Sequence, residues 1–376
     1  MSVLNTVKQQ LSLNVKNIVG WKTKRKIVVF SVDDYGNVRL DSKAARNNLD
    51  KAGLTIHTHF DAFDALETKQ DLELLFDALT SVKDRNGTPA VFTPFAVPCN
   101  IDFEKMADTN FETYYYELLP DTYSKLKGYE GAWDLWKEGM AKGLLVPQFH
   151  GREHLNLKIF EEKLAIKDAE LLTALKNRSY TSISSSGYPT ISVTAAFEFW
   201  EFKENERFKN IIEDGLNAFE KVFGFRSTHF NPPGGREHPV IHQYLKHCGI
   251  RYIDTGFIKK EHQGLGKYKT VVNYTGKHNH LQQLYMVRNV VFEPTDTERN
   301  DWVDFTLAQI AAAFRWNKPA VISSHRVNFC GHIDETNRQK GIDALQQLLK
   351  KMTARWPDIE FMAASQLCDI IEQETS

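Results

Sequence analysis

The chain has 376 residues, of which 42% are apolar and 25% are charged, a composition that excludes a disordered or fibrous protein. Its 47 basic and 48 acidic side chains leave a formal charge of −1, so no basic surface predicts a nucleic-acid partner. The sequence contains no apolar run of about 18 residues and no signal-peptide pattern. It predicts a cytoplasmic protein without a membrane span.

Short apolar runs alternate with amphipathic segments along nearly the whole chain. The predicted strands cover residues 26–32, 90–95, 144–149, 225–230, 250–254, 284–292, 320–324 and 359–363. The predicted helices cover residues 41–52, 71–82, 132–141, 210–223, 239–248, 303–316 and 335–355. Strands that alternate with helices in this way indicate parallel βα units.

Seven or eight such units are too many for a small open sheet, so we predict an α/β fold with a closed or nearly closed barrel. The barrel is expected to span residues 26–371 as a single domain, after an N-terminal extension over residues 1–25. Residues 171–208 interrupt the alternation with a Ser/Thr-rich stretch. We interpret this stretch as an insertion, which is a surface loop, a hairpin or a lid over the barrel mouth.

Polar residues that directly follow strands are the first candidates for chemistry, because ligand sites in such folds lie at the carboxyl ends of the strands. Asp33 and Asp34 follow the first strand; one could bind a cation while the other reaches a water beside it, or an aspartate here could simply cap the next helix. His150 and His154 follow the third strand, and would share one face for metal binding if a helical turn begins there.

Two further clusters follow later strands. Residues 226–235 form a loop rich in Pro and Gly, which either exposes backbone N–H groups or is an ordinary turn. His325 follows the strand over residues 320–324. A single histidine in such a position is more often structural than catalytic.

Together, these clusters resemble the NodB-homology polysaccharide deacetylases in type and order. The resemblance covers most of residues 26–371 and implies a deformed (β/α)7–8 barrel of the glycoside hydrolase/deacetylase type. It implies that Asp34, His150 and His154 bind the metal and that Asp33 is the general base. It also implies that His325 is the general acid. Asp254, at the end of the strand over residues 250–254, matches the residue that orients this histidine in the family.

The loop with consecutive prolines departs from the family pattern. Where the family has an arginine before the prolines and an aromatic residue after them, this chain has Asn231 and Gly234. Asn231, Pro233 and Gly234 are our candidates for substrate contact or for an oxyanion-binding backbone N–H. Arg226 is a candidate for the missing guanidinium.

The resemblance therefore implies a metal-dependent hydrolase that removes an acetyl group from an amino sugar or glycan. One carboxylate and two imidazoles favour a single divalent ion, zinc first, with cobalt, nickel and iron as alternatives. A similarity to YdjC-like carbohydrate deacetylases, limited to residues 33–36 and the following helix, would change only the substrate class. The alternatives are an inactive carbohydrate-binding barrel and a peptidase of the H-x-x-E-H type, which residues 150–154 match literally. The oligomeric state stays open.

Overall fold

The computed structural model describes residues 13–54, 58–185 and 187–375, and its centre is a curled parallel β-sheet. The strands in these ranges are β1 (Lys26–Tyr35), β2 (Phe92–Ala96), β3 (Cys99–Ile101), β4 (Tyr116–Leu118), β5 (Gln148–Phe149), β6 (His229–Phe230), β7 (Tyr252–Asp254), β8 (Ile258–His262), β9 (Tyr268–Val272), β10 (Leu284–Met286), β11 (Val290–Val291), β12 (Ala320–His325) and β13 (Ile359–Phe361). The residues of β1 are buried almost throughout, as expected for a strand with both faces covered.

Helices connect most of these strands, and their apolar faces complete the core. They are α1 (Lys43–Lys51), α2 (His59–Phe63), α3 (Lys69–Thr80), α4 (Phe103–Asp108), α5 (Leu119–Lys125), α6 (Ala132–Ala141), α7 (Leu157–Ala165), α8 (Ala169–Lys176), α9 (Phe208–Phe223), α10 (His242–His247), α11 (Trp302–Arg315), α12 (Glu335–Arg355) and α13 (Ala364–Thr375). Leu72 and Leu75 of α3, for example, lie in one apolar cluster with Phe30 and Phe92 of the sheet. No helix in the described ranges is long and apolar enough to cross a membrane.

The strand order shows that the sheet is an almost closed barrel. The order is β10-β7-β6-β5-β2-β1-β12-β11, with parallel pairing throughout, and β13 pairs with the start of β1. Its two edge strands, β10 and β11, are joined by only three residues. Such a connection spans at most about 14 Å, so the two edges lie close together. The predicted α/β barrel is therefore confirmed.

Several predicted strands are shorter or interrupted. Residues 144–147 and 225–228 lie outside β5 and β6, and the predicted strand over residues 284–292 is split into β10 and β11. The split has a physical reason at Asn289. Its side chain donates to the carbonyl of Pro319 and accepts from the N–H of Val321. At this point the side-chain amide therefore replaces the backbone hydrogen bonds that a continuous strand would form with its neighbour.

The insertion over residues 171–208 contains no strand among its described residues, so the hairpin alternative is wrong. It consists of the end of α8, a loop with several turns and a short 3₁₀ helix (Phe202–Arg207). The side chain of Asn156 donates to the carbonyls of Ala195 and Glu198, and these bonds hold the loop without a β-ladder. Phe197 of the loop packs edge-on against Phe230 of β6 at 5.4 Å.

An antiparallel hairpin lies elsewhere, in β8 and β9, and β3 and β4 form a second antiparallel pair. The sequence analysis did not assign the segment of β8 and β9. Gly264 and Gly266 have φ values of 87° and 70° in the turn, and glycines between two strand-like runs are the signal that predicts such a hairpin. Of the predicted N-terminal extension, residues 1–12 lie outside the described residues. Asn17 is buried, and its side-chain oxygen accepts from Asn289.

Candidate functional site

The candidate residues lie at the carboxyl ends of the parallel strands, on one edge of the sheet. Asp33 of β1 is paired with His325 of β12 in the strand register, and His150 directly follows β5. Asn231 directly follows β6, and Asp254 ends β7. Since the carboxyl ends of neighbouring parallel strands meet at one mouth, the fold brings together residues that are up to 292 positions apart in the chain.

An irregularity in β1 lets both adjacent aspartates take part in this mouth. The pairing of β1 with β2 changes register between Val32 and Tyr35, and Asp34 has a φ of 72°, a left-handed conformation that Asp adopts more readily than most residues. In a regular strand the two carboxylates would point to opposite faces. Here Asp33 and Asp34 are both buried at the mouth, with 8% and 4% exposure.

Asp34, His150 and His154 converge with their potential ligand atoms within 4.8 Å of one another. Oδ1 of Asp34 lies 3.3 Å from Nε2 of His150 and 3.0 Å from Nε2 of His154. Nδ1 of His150 donates to the carbonyl oxygen of Asn231 at 2.8 Å, which leaves the Nε2 lone pair of that ring facing Asp34. Nδ1 of His154 is buried and has no hydrogen-bond partner among the described residues.

This donor set fits a divalent transition metal. Burial alone would raise the pKa of Asp34, but the charges and hydrogen bonds of His154 and His150 outweigh it and hold that pKa well below its usual range. Asp34 is therefore an anion next to two imidazoles, and one carboxylate with two imidazoles is a common set for zinc and its neighbours. A cation at the three converging atoms would also relieve the crowding of polar groups that otherwise face one another.

The segment that carries the two histidines is a strand-end loop. Residues 152–155 form bends, and Gly151 has a φ of 98°, so the helical turn that we considered for His150 and His154 is wrong. The same observation argues against the peptidase of the H-x-x-E-H type, which needs these residues on a helix. Glu153, moreover, is bound to Arg152, whose Nε lies 2.5 Å from its Oε2.

Asp33 is held in one orientation by three donors from two side chains. The guanidinium of Arg288 donates to both of its carboxylate oxygens, at 2.7 and 2.8 Å, and Nδ2 of Asn231 donates to Oδ1 at 2.8 Å. Arg288 lies in the three-residue connection between β10 and β11. No sequence pattern indicated Arg288 as a site residue, because it occurs in the middle of a predicted strand.

The candidate guanidinium of Arg226 is therefore wrong. Arg226 precedes β6 and so lies at the amino end of that strand, opposite the mouth. It donates to the carbonyl of Cys248 at 2.8 Å and to the side chain of Asn217 at 2.8 Å. Arg288 supplies the charge next to Asp33 instead.

Asp254 does not orient His325, contrary to the expectation from the resemblance. Its Oδ1 accepts from Nε2 of His229 at 2.7 Å, and its Oδ2 accepts from Nε of Arg288 at 2.6 Å. Burial opposes the ionised form of Asp254, but Arg288 and His229 outweigh it and lower its pKa. Asp254 thus fixes the guanidinium that in turn fixes Asp33.

His325 is held by Glu293, a residue that the sequence analysis did not select. Nδ1 of His325 donates to Oε1 of Glu293 at 2.7 Å, and its Nε2 lies 3.8 Å from Oδ2 of Asp33. Burial opposes protonation, but the charge and hydrogen bond of Glu293, with a contribution from Asp33, raise the pKa of His325 to about 10. Glu293 follows the predicted strand over residues 284–292, so the strand-end rule could have found it.

The loop with consecutive prolines packs against the metal-ligand loop. Pro233 is buried, and its Cγ lies 3.4 Å from the position that a Cβ on Gly151 would take. Gly234 and Gly235 have φ values of 68° and 66°, a conformation that favours glycine. Pro233 has no backbone N–H and can be a candidate only for substrate contact, whereas the candidate oxyanion-binding N–H of Gly234 stays a prediction.

We expect Glu293→Gln to lower the pKa of His325 from about 10 towards the ordinary histidine value of about 6.5. The amide keeps a hydrogen-bond partner but removes the negative charge that favours the imidazolium. Because the pKa is raised in the folded protein, this pair stabilises the fold fully below pH of about 6.5, and the stabilisation is lost as the pH rises through about 10. In the variant this loss should move to lower pH.

An NMR titration of the His325 ring from pH 5 to 11, in metal-free protein, measures the shift directly. Glu298→Gln is a matched control, because Glu298 is exposed and lies five residues away. An unchanged His325 titration in Glu293→Gln would contradict the assigned partner.

Comparisons with known proteins give structural matches only. No protein-family model matches the chain, and no curated protein matches it. A Mycobacterium smegmatis protein described as a polysaccharide deacetylase is 12% identical, over 95% of this chain and 93% of its own, with a TM-score of 0.45. PuuE allantoinase is 11% identical, over 93% and 91%, with a TM-score of 0.47.

A Pseudomonas aeruginosa protein described as a polysaccharide deacetylase is 8% identical to this chain, over 93% of this chain and 92% of its own, with a TM-score of 0.47. Polysaccharide deacetylases, the family that the sequence resembles, are thus among the solved structures to which this chain is similar.

Proposed function

We propose that this protein is a metal-dependent hydrolase that removes an acetyl group from an amino sugar or glycan. The observation that carries the proposal is the convergence of Asp34, His150 and His154 beside a second carboxylate, Asp33, and a protonated His325. A bound cation that activates water, a general base beside it and a general acid for the leaving amine are together sufficient to hydrolyse an amide.

Asp34, His150 and His154 would hold the metal, with zinc as the first choice. Bound there, a divalent cation polarises a carbonyl oxygen and lowers the pKa of a water molecule. Asn231 positions both a candidate metal ligand and the candidate proton acceptor. Its backbone carbonyl accepts a hydrogen bond from His150, and its side chain donates one to Asp33. We therefore assign Asn231 a positioning role rather than contact with the substrate.

Asp33 acts as the proton acceptor in this proposal. Its carboxylate is fixed by Arg288 and Asn231, so it loses no further side-chain freedom when it takes the proton from the attacking water. The water oxygen forms a bond to the acetyl carbon, and the bond from that carbon to the sugar nitrogen breaks. We also propose that the backbone N–H of Gly234 donates a hydrogen bond to the developing oxyanion.

His325 acts as the proton donor. Glu293 keeps its imidazole protonated at neutral pH, and 29% of its side chain is exposed, so the proton is accessible from the mouth. The products are acetate and a free amine that carries this proton. Asp254 has no direct part in these steps, because it acts through Arg288.

The proposal is tested by metal content and acetate release measured on the same preparations. We expect one divalent ion per chain in the wild type and in His280→Ala, whose histidine is exposed elsewhere, and far less than one in His154→Ala. Acetate release from N-acetylglucosamine or its β-1,4 oligomers should require the ion and should stop on treatment with EDTA.

A metal-replete protein that binds these sugars but releases no acetate would favour the inactive carbohydrate-binding barrel. Full acetate release after complete removal of the metal would contradict the proposal.

A further inference from the structure

The β8–β9 hairpin forms a two-stranded sheet that is separate from the barrel sheet. Three of the five residues of β8 are buried, whereas none of the five residues of β9 is buried. Tyr268 and Val272 of β9 are 40% and 52% exposed, and Ile258, which pairs with Val272, is 61% exposed. The hairpin therefore presents large apolar side chains to solvent.

The pairing of the hairpin shows which backbone groups of β9 face outwards. In an antiparallel pair, only alternate residues bond to the neighbouring strand. At one end of the hairpin, the N–H of Asn273 donates to the carbonyl of Phe257. At the other end, the N–H of Gln263 donates to the carbonyl of Lys267. The odd-numbered residues of β9 therefore bond to β8, and the even-numbered residues turn their N–H and C=O groups to the outer edge.

This outer edge of β9 is almost free of hydrogen bonds. Its N–H and C=O groups belong to Tyr268, Thr270 and Val272. Among the described residues, only the carbonyl of Val272 has a partner, which is the side-chain amine of Lys277 at 3.0 Å. Thr270, at the centre of the edge, is exposed. A strand edge with unpaired N–H and C=O groups is a template for one more strand.

The side chains around this edge are basic. Residues 256–280 contain a single acidic residue, Glu261, which is buried. Of the lysines in this segment, only the buried Lys259 forms an ion pair among the described residues, with Glu237. Exposed lysines without such a pair are Lys260, Lys267 and Lys269. The edge therefore carries uncompensated positive charge.

This charge decides which kind of strand fits the edge. Two copies of β9 paired edge to edge would bring their lysines together, and like charges on paired strands are destabilising. The same lysines attract acidic side chains. Lysines on an edge strand thus reject one partner and favour another, which is how specific interfaces discriminate.

We propose that the outer edge of β9 binds an extended acidic segment of a partner protein, which adds a third strand to the hairpin. Main-chain hydrogen bonds to an exposed sheet edge are a general mode of peptide recognition. Side chains alternate between the two faces of a strand. Lys267 and Lys269 lie on one face, and Tyr268 and Val272 lie on the other. The segment that fits best therefore alternates acidic with β-branched residues. The inference does not depend on the proposed function.

The test measures the binding of three synthetic peptides to the full chain by isothermal titration calorimetry. The acidic probe is acetyl-EVEVEVE-amide. Acetyl-KVKVKVK-amide reverses the charge, and acetyl-EVEPEVE-amide keeps the charge but lacks the central N–H, which pairs with the carbonyl of Thr270 in the proposed complex. We expect the acidic probe to bind and the basic probe not to bind. The proline probe should bind at least about tenfold more weakly, because it loses a main-chain hydrogen bond at the centre of the edge.

Thr270→Pro and Thr270→Val are a matched pair of variants. Proline removes the outward N–H at this position, and an edge strand tolerates it there because that N–H does not bond to β8. Valine keeps the N–H and the preference for a strand. We expect Kd for the acidic probe to rise at least about tenfold in Thr270→Pro and to stay at the wild-type value in Thr270→Val. In the wild type, the probe should slow hydrogen–deuterium exchange of the Thr270 amide.

Lys269→Glu tests the charge, with Lys350→Glu as its control, because Lys350 is an exposed lysine on α12. Lys269→Glu should raise Kd about threefold or more, since an attraction becomes a repulsion, and Lys350→Glu should leave Kd unchanged. If Thr270→Pro does not fold, the proline probe and Lys269→Glu decide the matter.

Three outcomes overturn the proposal. The first is an absence of binding between the acidic probe and the wild type. The second is equal binding of the acidic probe and the proline probe, because charge alone then accounts for the affinity. The third is a wild-type dimer in analytical ultracentrifugation that Thr270→Pro dissociates, which would assign the edge to a second copy of the chain.

Discussion

Asp33→Asn should lose about 10²- to 10⁴-fold in acetate release while it keeps the metal, because the change removes a proton acceptor and no metal ligand. Asp33 contacts Arg288 and Asn231 rather than the two histidines, whereas Asp34 contacts both histidines. The two adjacent carboxylates therefore have different hydrogen-bond partners, and these partners distinguish the proton acceptor from the metal ligand. The measurement is kcat on N-acetylglucosamine together with metal content per chain.

Asp134→Asn serves as the control, because Asp134 is exposed on α6 and its loss should change neither quantity. Full turnover in metal-replete Asp33→Asn would remove Asp33 from the mechanism. Loss of the metal in this variant would mean that the roles of Asp33 and Asp34 are exchanged.

His325→Ala should be selective for the leaving group, with a loss on the order of 10²-fold or more on an N-acetyl substrate and a much smaller loss on an aryl acetate. An amine leaves only after its nitrogen is protonated, whereas a phenolate leaves without such help. The metal and Asp33 remain in the variant, so the attack on either substrate is preserved. Both rates, the metal content and Tm should be measured on one preparation.

A purely structural histidine predicts a different outcome. His325 packs edge-on against Phe60 and is bound to Glu293, so its removal could lower Tm and reduce both rates by the same factor. Equal losses on the two substrates would therefore exclude His325 as the proton donor. His280→Ala provides the baseline for the loss of an exposed histidine.

The periodic part of the fold was predictable from the sequence. The predicted helices over residues 132–141 and 335–355 match α6 and α12 residue for residue, because apolar residues at helical spacing over ten or more positions favour a helix over a strand. The chain order of the strands in the barrel was predictable, but their lengths were less so, and β3, β4, β8 and β9 were not predicted. The insertion was predicted but its path was not, and the hairpin of β8 and β9 was missed, because their geometry depends on side-chain bonds and on glycines in the turns.

The sequence by itself determined which strand ends carry polar groups, and parallel pairing then requires those ends to meet. That reasoning selected Asp33, Asp34, His150, His154 and His325. It could not determine which side chains contact one another, because partners such as Arg288 and Asp33 are 255 residues apart in the chain and leave no periodic signal. Tertiary structure alone decided that Arg288 rather than Arg226 faces Asp33. It also decided that Glu293 rather than Asp254 holds His325, since both carboxylate oxygens of Asp254 are bound to His229 and Arg288.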